Sequence, residues 1–354
     1  MITFERQDGW DGVGVGTRRD SETGALILIA IHSERLGPAS GGTRMAQYPD
    51  REAAILDAMR LSSGMTYKWA AADFPRGGGK AVIAIPAELE PSARTGLLHR
   101  YGKLIQELSG RFWTGADVGT TSKDMDVIAE TGAPYVFSRT PERGGAGGSE
   151  TWTAMGVFAA MESVCGRLFG KASVEGRRVL VQGAGSVGGS LIESLVAAGA
   201  VVSFSDIRPA SISRFREKEG LPFVDPGAVW DAPCDLLAPC ALGGVLNAQT
   251  IPRLGCVAVV GAANNQLATP ADAARLRARK ILYAPDFVVN AGGAIAITGQ
   301  EALGWTAERA RGEVLRIGAT LGRIFHLAEA EDISPDAAAR RIAEQRLAAG
   351  PEAL

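Results

Sequence analysis

Apolar residues along this chain fall into short branched runs and longer amphipathic stretches, an alternation that outlines sheets flanked by helices. Residues 25–31 are continuously apolar, bounded by Gly24 and by His32 and Ser33, and predict a buried strand. Pro49 and Asp50 open a helix through about Lys68, with Asp50 a fair N-cap and Ala54, Ile55, Ala58, Met59 and Leu61 on one face. Gly77, Gly78 and Gly79 read as a turn, strand 81–85 follows, and a helix over about 92–108 ends at Gly110. Residues 140–149, with four glycines and little side-chain restriction, are the candidate hinge.

Beyond the hinge a helix (about 150–169) leads into a short apolar strand, 178–182. Leu191, Ile192, Leu195 and Val196 mark the next helix, and 201–205 the next strand. Further apolar runs at 235–238, 257–261 and 281–284, separated by helical or glycine-containing segments, indicate a parallel sheet with helices around it. The expected fold is α/β in two domains: an N-terminal α/β domain over 1–145 and a dinucleotide-binding domain over 146–324. A C-terminal helix over about 325–354 is expected to pack back on the first domain.

Composition narrows the class. With 354 residues, 46% hydrophobic and 21% charged, the chain is long enough for two globular cores. A formal net charge of -2 gives no bulk attraction for nucleic acid or an anionic membrane, which leaves small molecules and other copies of the chain as partners. Cys165, Cys234, Cys240 and Cys256 form no CxxC pair and only three histidines occur, so neither a zinc site nor a disulfide framework is expected. The N-terminus has no basic segment leading into an apolar run, and no run reaches a membrane span, so a cytoplasmic protein is expected.

Two motifs carry chemistry. Lys80 directly follows Gly77-Gly78-Gly79, where backbone can approach a ligand closely and strip water from the amine. Lys68 lies twelve residues upstream and Asp117 further on. A desolvated lysine near a second cation is tuned toward base chemistry, and the other lysine can hold a carboxylate. A phosphate loop is excluded, because Phe74 stands where its first glycine belongs and Ala81 where Ser or Thr would follow Lys80.

The second motif is Gly183-Ala184-Gly185-Ser186-Val187-Gly188, with a strand before it, a helix after it and Asp206 eighteen residues beyond. Gly183 permits the tight turn, Gly185 a close approach to pyrophosphate, and Gly188 the packing of helix on strand. The helix N-terminus offers unpaired N–H groups to the phosphates. Asp206 would accept hydrogen bonds from a ribose diol and repel a 2′-phosphate. NAD is therefore favoured, while Arg208 keeps NADP use open.

Several segments together resemble the amino-acid dehydrogenases of the Glu/Leu/Phe/Val group. They are Leu36-Gly37-Pro38-Ala39-Ser40-Gly41-Gly42-Thr43-Arg44, Gly64-Met65-Thr66-Tyr67-Lys68, Gly77-Gly78-Gly79-Lys80 and Trp113-Thr114-Gly115-Ala116-Asp117-Val118. Gly261-Ala262-Ala263-Asn264-Asn265 and Asn290-Ala291-Gly292-Gly293 complete the set. The resemblance covers nearly the whole chain and implies a substrate domain and an NAD domain with the reaction in a cleft between them. It further implies a homo-oligomer acting on an L-amino acid, its 2-oxo acid and ammonium.

By that resemblance Lys68 would hold the substrate carboxylate, Lys80 would be the general base that activates water, and Asp117 would move protons. Gly42, Ser40, Gly115, Ala116, Asn264 and Ala294 would line the substrate. Arg44, Ser149 and Thr153 would lie near the nicotinamide half, and Gly183 to Gly189 (Ala184, Gly185, Ser186, Val187 and Gly188 between them) would cradle the pyrophosphate. Asp206 and Ile207 would face the adenosine ribose. Cys240, Ala241, Ala262, Ala263 and Asn264 would border the cofactor, with Cys240 a lining residue and not a nucleophile.

Ser40, Gly115 and Ala294 each stand where leucine dehydrogenases often carry a bulkier leucine, alanine or valine. The lost volume leans the expectation toward phenylalanine, although Gly119 resembles the leucine enzymes more. Leucine or valine oxidation is the alternative, and a catalytically silent dinucleotide sensor a remoter one.

Overall fold

The computed structural model describes residues 2–87 and 89–351. Contacts divide the chain into two units. One comprises residues up to Gly148, Ile297–Thr306 and those from Ala343 on; the other comprises Ser149–Ala296 and Ala307–Ile342.

The first unit is built on a mixed six-stranded sheet in the order β1-β2-β3-β5-β4-β6. Its strands are β1 (Phe4–Glu5), β2 (Gly14–Arg19), β3 (Leu26–Ser33), β4 (Ala39–Ala46), β5 (Gly77–Ala84) and β6 (Phe112–Ala116). β1, β2, β3 and β5 run antiparallel to their neighbours, whereas β5, β4 and β6 are parallel. β3 is continuously apolar because both of its faces are covered. Leu28 and Ala30 pack with Val82 against Ala54 and Ala58 of helix α1 (Arg51–Ala71). Ile27, Ile29 and Ile31 pack against Leu97, Tyr101 and Leu104 of α2 (Pro91–Glu107) and Met125 and Ile128 of α3 (Ser122–Gly132). Asp50 caps α1, accepting from the Ala53 N–H at 2.7 Å.

The glycines before Lys80 are not the expected turn. Gly77, Gly78 and Gly79 are the first three residues of β5 and are buried. A side chain on Gly78 would collide with the backbone and hydroxyl of Thr66 on α1, one on Gly77 with the Ser33 carbonyl, and one on Gly79 would lie 2.8 Å from the Phe112 ring. Gly78 is glycine because helix and strand meet backbone to backbone there, a close approach that a strand glycine permits.

The second unit holds a parallel sheet of five strands: β7 (Arg178–Gln182), β8 (Val201–Ser205), β9 (Leu236–Pro239), β10 (Ala258–Val259) and β11 (Leu282–Tyr283). Their order, β11-β10-β9-β7-β8, reverses direction at β7, so a crevice opens at the carboxyl ends of β7 and β9. Helices α4 (Glu150–Phe169) and α5 (Ser186–Ala197) pack against each other in this unit.

The C-terminal expectation needs correcting. In place of one helix from 325 onward there are two, Ile317–Ala330 and Pro335–Ala349, interrupted by Asp332 in the left-handed region (φ 56°) and restarted at Pro335. Only residues from Ala343 on belong with the first unit. Residues 352–354 of the expected helix lie outside the described residues.

The segment expected as a loose hinge carries a short 3-10 turn, Pro141–Arg143, and is held at both flanks. The buried Glu301 carboxylate accepts from the Ser138 N–H at 2.9 Å, the Arg139 N–H at 3.3 Å, the Ala146 N–H at 3.0 Å and Arg139 Nε at 3.2 Å. Among the described residues no helix is long and apolar enough to cross a membrane.

Candidate active site

The parallel strands β5, β4 and β6 bring the predicted acid–base residues together. Lys80 on β5 is buried, and its Nζ lies 2.8 Å from Oδ2 of Asp117, which follows the end of β6. Between them runs β4, where Gly42 pairs with Gly115; a side chain at Gly42 would sit 2.8 Å from Asp117 Cβ. The chain turns after Asp117 through Gly119 (φ 80°), and the Asp117 N–H donates to Thr120 Oγ1 at 3.0 Å. Burial pushes the Asp117 carboxyl up, but the Lys80 ammonium and then Arg44 pull harder and leave it below the usual carboxylate range. Asp117 is therefore an ionised proton acceptor held against an amine. Lys68 is half-buried in the last turn of α1, the helix that packs on the sheet face carrying Lys80.

Arg44 on β4 reaches Asp117 through Nε at 3.3 Å and Asp57 of α1 through Nη1 at 2.8 Å. Asp57 in turn accepts from Tyr48 at 2.7 Å and Arg60 at 2.7 Å. Burial raises the Asp57 carboxyl, and Arg60, Tyr48 and Arg44 together outweigh it, so the group stays ionised. Sequence reading missed Asp57 and Tyr48. Asp57 offered only the signal of an acid within a helix read by its apolar residues, and Tyr48, which precedes that helix, offered none.

Within the first unit, neither Gly115 nor Ser40 adds open space of the kind expected for an aromatic pocket. Gly115 leaves no free volume, because the buried Phe137 ring occupies the place of its missing side chain. Ser40 has no exposed surface, and its carbonyl accepts the Trp69 indole N–H at 3.0 Å. Ala116 ends β6 half-buried, while Ala294 lies in helix Gly292–Leu303.

In the second unit the glycine motif follows β7, and Gly183 adopts φ 95°. A Cβ there would lie 2.7 Å from that of Ala241, and one on Gly188 would collide with the Gly183 carbonyl and come within 3.3 Å of Cys240. The loop thus packs against the residues after β9, at the crevice. Ser186, Val187, Gly188 and Gly189 form the first turn of α5, whose N-cap Gly185 offers no side-chain acceptor, leaving N–H groups for an anion. These features fit a dinucleotide pyrophosphate.

Asp206 is not a free acceptor. Its Oδ2 accepts from the Ala184 N–H at 2.7 Å and Arg208 Nη2 at 2.9 Å, and its Oδ1 from the Arg208 N–H at 2.8 Å. Burial raises this carboxyl, but Arg208 and the backbone donors bring it down to about 2. Ile207 beside it is 81% exposed, available to a ligand.

Packing pushes the Cys240 thiol up to about 12, so it carries no thiolate at neutral pH. Ala262 and Ala263 follow β10. The Asn264 Oδ1 accepts from Asn290 Nδ2 at 2.8 Å, which orients its amide. Ser149 precedes α4 and accepts from Thr153 Oγ1 at 2.9 Å, and Gly293 packs closely on both.

Comparison with known proteins shows the family of the chain. Residues 18–133 match the family model described as Glu/Leu/Phe/Val dehydrogenase, dimerisation domain, and residues 144–212 and 208–349 match Glutamate/Leucine/Phenylalanine/Valine dehydrogenase. The chain is 40% identical over 347 residues to a leucine dehydrogenase of Geobacillus stearothermophilus, covering 98% of this chain and 94% of that protein. It is 44% identical over 334 residues to a valine dehydrogenase of Streptomyces virginiae, covering 93% and 92%. The crystal structure of L-tryptophan dehydrogenase from Nostoc punctiforme superposes with a TM-score of 0.81 at 36% identity, covering 95% and 96%.

Proposed function

Because this chain belongs to the Glu/Leu/Phe/Val dehydrogenase family, and is thus an NAD-dependent amino-acid dehydrogenase, we propose that it oxidatively deaminates a branched-chain L-amino acid such as leucine or valine. The reaction is L-amino acid + NAD⁺ + H₂O → 2-oxo acid + NH₄⁺ + NADH + H⁺. The Lys80–Asp117 ion pair carries the chemical reading, since a dinucleotide sensor would not need a buried amine and carboxylate in contact. The Phe137 ring over Gly115 supports this choice of substrate, because it fills the space at one of the three positions on which a phenylalanine preference rested. The leucine and valine dehydrogenases among the relatives support the same correction.

In this reading Lys68 anchors the substrate carboxylate, and Asp117 takes a proton from the substrate amine and later returns one to the departing nitrogen. Lys80 removes a proton from the water that adds to the α-carbon. Bound NAD supplies the hydride acceptor. Gly183 to Gly189 would hold its pyrophosphate, Asp206 and Ile207 its adenosine ribose, and Ser149, Thr153 and Asn264 the nicotinamide half. The first unit would also carry the contacts of a homo-oligomer, as the dimerisation domain that it matches suggests.

NADH formation from a panel of L-amino acids at alkaline pH tests this. The expected ranking places leucine and valine above phenylalanine and tryptophan. Turnover of none would overturn the dehydrogenase reading, and an aromatic preference would overturn the branched-chain one.

A further inference from the structure

Building on the acid–base roles proposed for Lys80 and Asp117, we infer that Asp57 is a positioning residue for Asp117, acting through Arg44. One guanidinium is shared between two carboxylates, and its two bonds are unequal: 2.8 Å to Asp57 and 3.3 Å to Asp117. Asp57 is itself immobilised, with Tyr48 and Arg44 on Oδ2 and Arg60 on Oδ1. The fork of Arg44 is thereby turned toward α1, and only its Nε reaches Asp117.

A guanidinium pairs most strongly with a carboxylate when two N–H groups lie parallel to it. Freed from Asp57, Arg44 would close on Asp117 in that way and compete with Lys80 for Oδ2, where Lys80 now holds the shorter bond at 2.8 Å. Asp57 therefore keeps Arg44 close enough to hold Asp117 in place and too weakly bound to take it from the amine. A contact that served only to tie α1 to β4 would not require Arg44 to touch Asp117 at all. The charged and titratable groups around this arrangement are Lys80 on β5, Arg44 on β4, Tyr48 just after it, and Asp57 and Arg60 on α1, with the Thr120 hydroxyl at the Asp117 N–H.

The test is the pH dependence of kcat/KM for the amino acid in the full-length enzyme, for Asp57→Asn, Arg44→Gln and Asp117→Asn. Removing Asp57 strengthens the positive field on the Lys80–Asp117 pair, which favours loss of the proton that Lys80 must shed to act as base, so the acid limb should move to lower pH, with kcat reduced about tenfold and KM nearly unchanged. Removing Arg44 weakens that field, so the limb should move about one unit to higher pH. Opposite shifts are a signature that loss of stability cannot produce. Asp57→Glu, which restores the charge, should recover part of the kcat.

Limbs that stay in place, or move together while activity follows the melting temperature, overturn the positioning role. If Asp57→Asn does not fold, the Arg44→Gln limb decides alone, and no upward shift refutes the inference. Activity retained by Asp117→Asn would instead refute the acid–base reading beneath it.

Discussion

Replacing Asp206 by serine should both weaken the second unit and relax its choice of cofactor. The wild-type carboxyl lies near 2 against an ordinary 3.8, because its charge is held by Arg208 and by the Ala184 N–H. At about 1.4 kcal/mol per unit, that shift corresponds to about 2 kcal/mol of folding stability near neutral pH. A depressed folded value means that the contribution is complete above the ordinary carboxyl pKa and fades as pH falls toward 2. Urea unfolding should accordingly show the variant less stable by about 2 kcal/mol at pH 7, with the difference narrowing below about pH 4.

Arg208, whose guanidinium lies beside Gly185 of the phosphate loop, is released at the same time. Loss of the acid removes repulsion against a 2′-phosphate, and the freed cation can pair with it. The ratio of kcat/KM for NAD to that for NADP should fall by about 10- to 100-fold, equivalent to roughly 1.4–2.8 kcal/mol. An unchanged ratio, with the predicted loss of stability present, would show that Asp206 supports only its own loop and does not read the ribose.

Three further changes probe the remaining links. Lys80→Ala should lower kcat by about 10²- to 10⁴-fold while NAD binding, followed by fluorescence titration, stays close to wild type; a variant keeping most of its kcat would remove Lys80 as the base. Phe137→Ala should raise kcat/KM for phenylalanine relative to leucine at least about tenfold, at a cost of about 3 kcal/mol in stability; an unmoved ratio would place the ring outside the substrate's reach. Gly78→Ala should destabilise by at least about 1–3 kcal/mol, because its methyl group meets the Thr66 backbone, and wild-type melting would mean that α1 can move away freely.

The dinucleotide half of the chain was readable because its signals are local. Strand, glycine turn, helix and Asp206 follow one another within about 30 residues, and each obeys its own backbone rule. The glycines before Lys80 were misread because what makes each of them glycine is a contact formed only in the fold: Ser33 for Gly77, Thr66 of α1 for Gly78 and the Phe112 ring for Gly79. Gly115 misled for a similar reason: whether missing volume becomes a pocket depends on Phe137, twenty-two residues on. Asp57 was invisible because an acid on a helix is ordinarily solvated, and only the fold turns it toward Arg44.

The contact between Gly78 and Thr66 has a mechanical consequence. Thr66 stands two residues before Lys68 and Gly78 two residues before Lys80, so a single point of touch lies equally near both amines along their own chains. A contact between backbones has no rotamer to change and no methylene to compress. Hard-sphere repulsion at that point therefore sets the closest approach of the two backbones that carry the lysines, as a calliper is set by its stop. Side-chain substitutions elsewhere in the first unit can loosen its core, yet while α1 stays seated they should leave that closest approach in place.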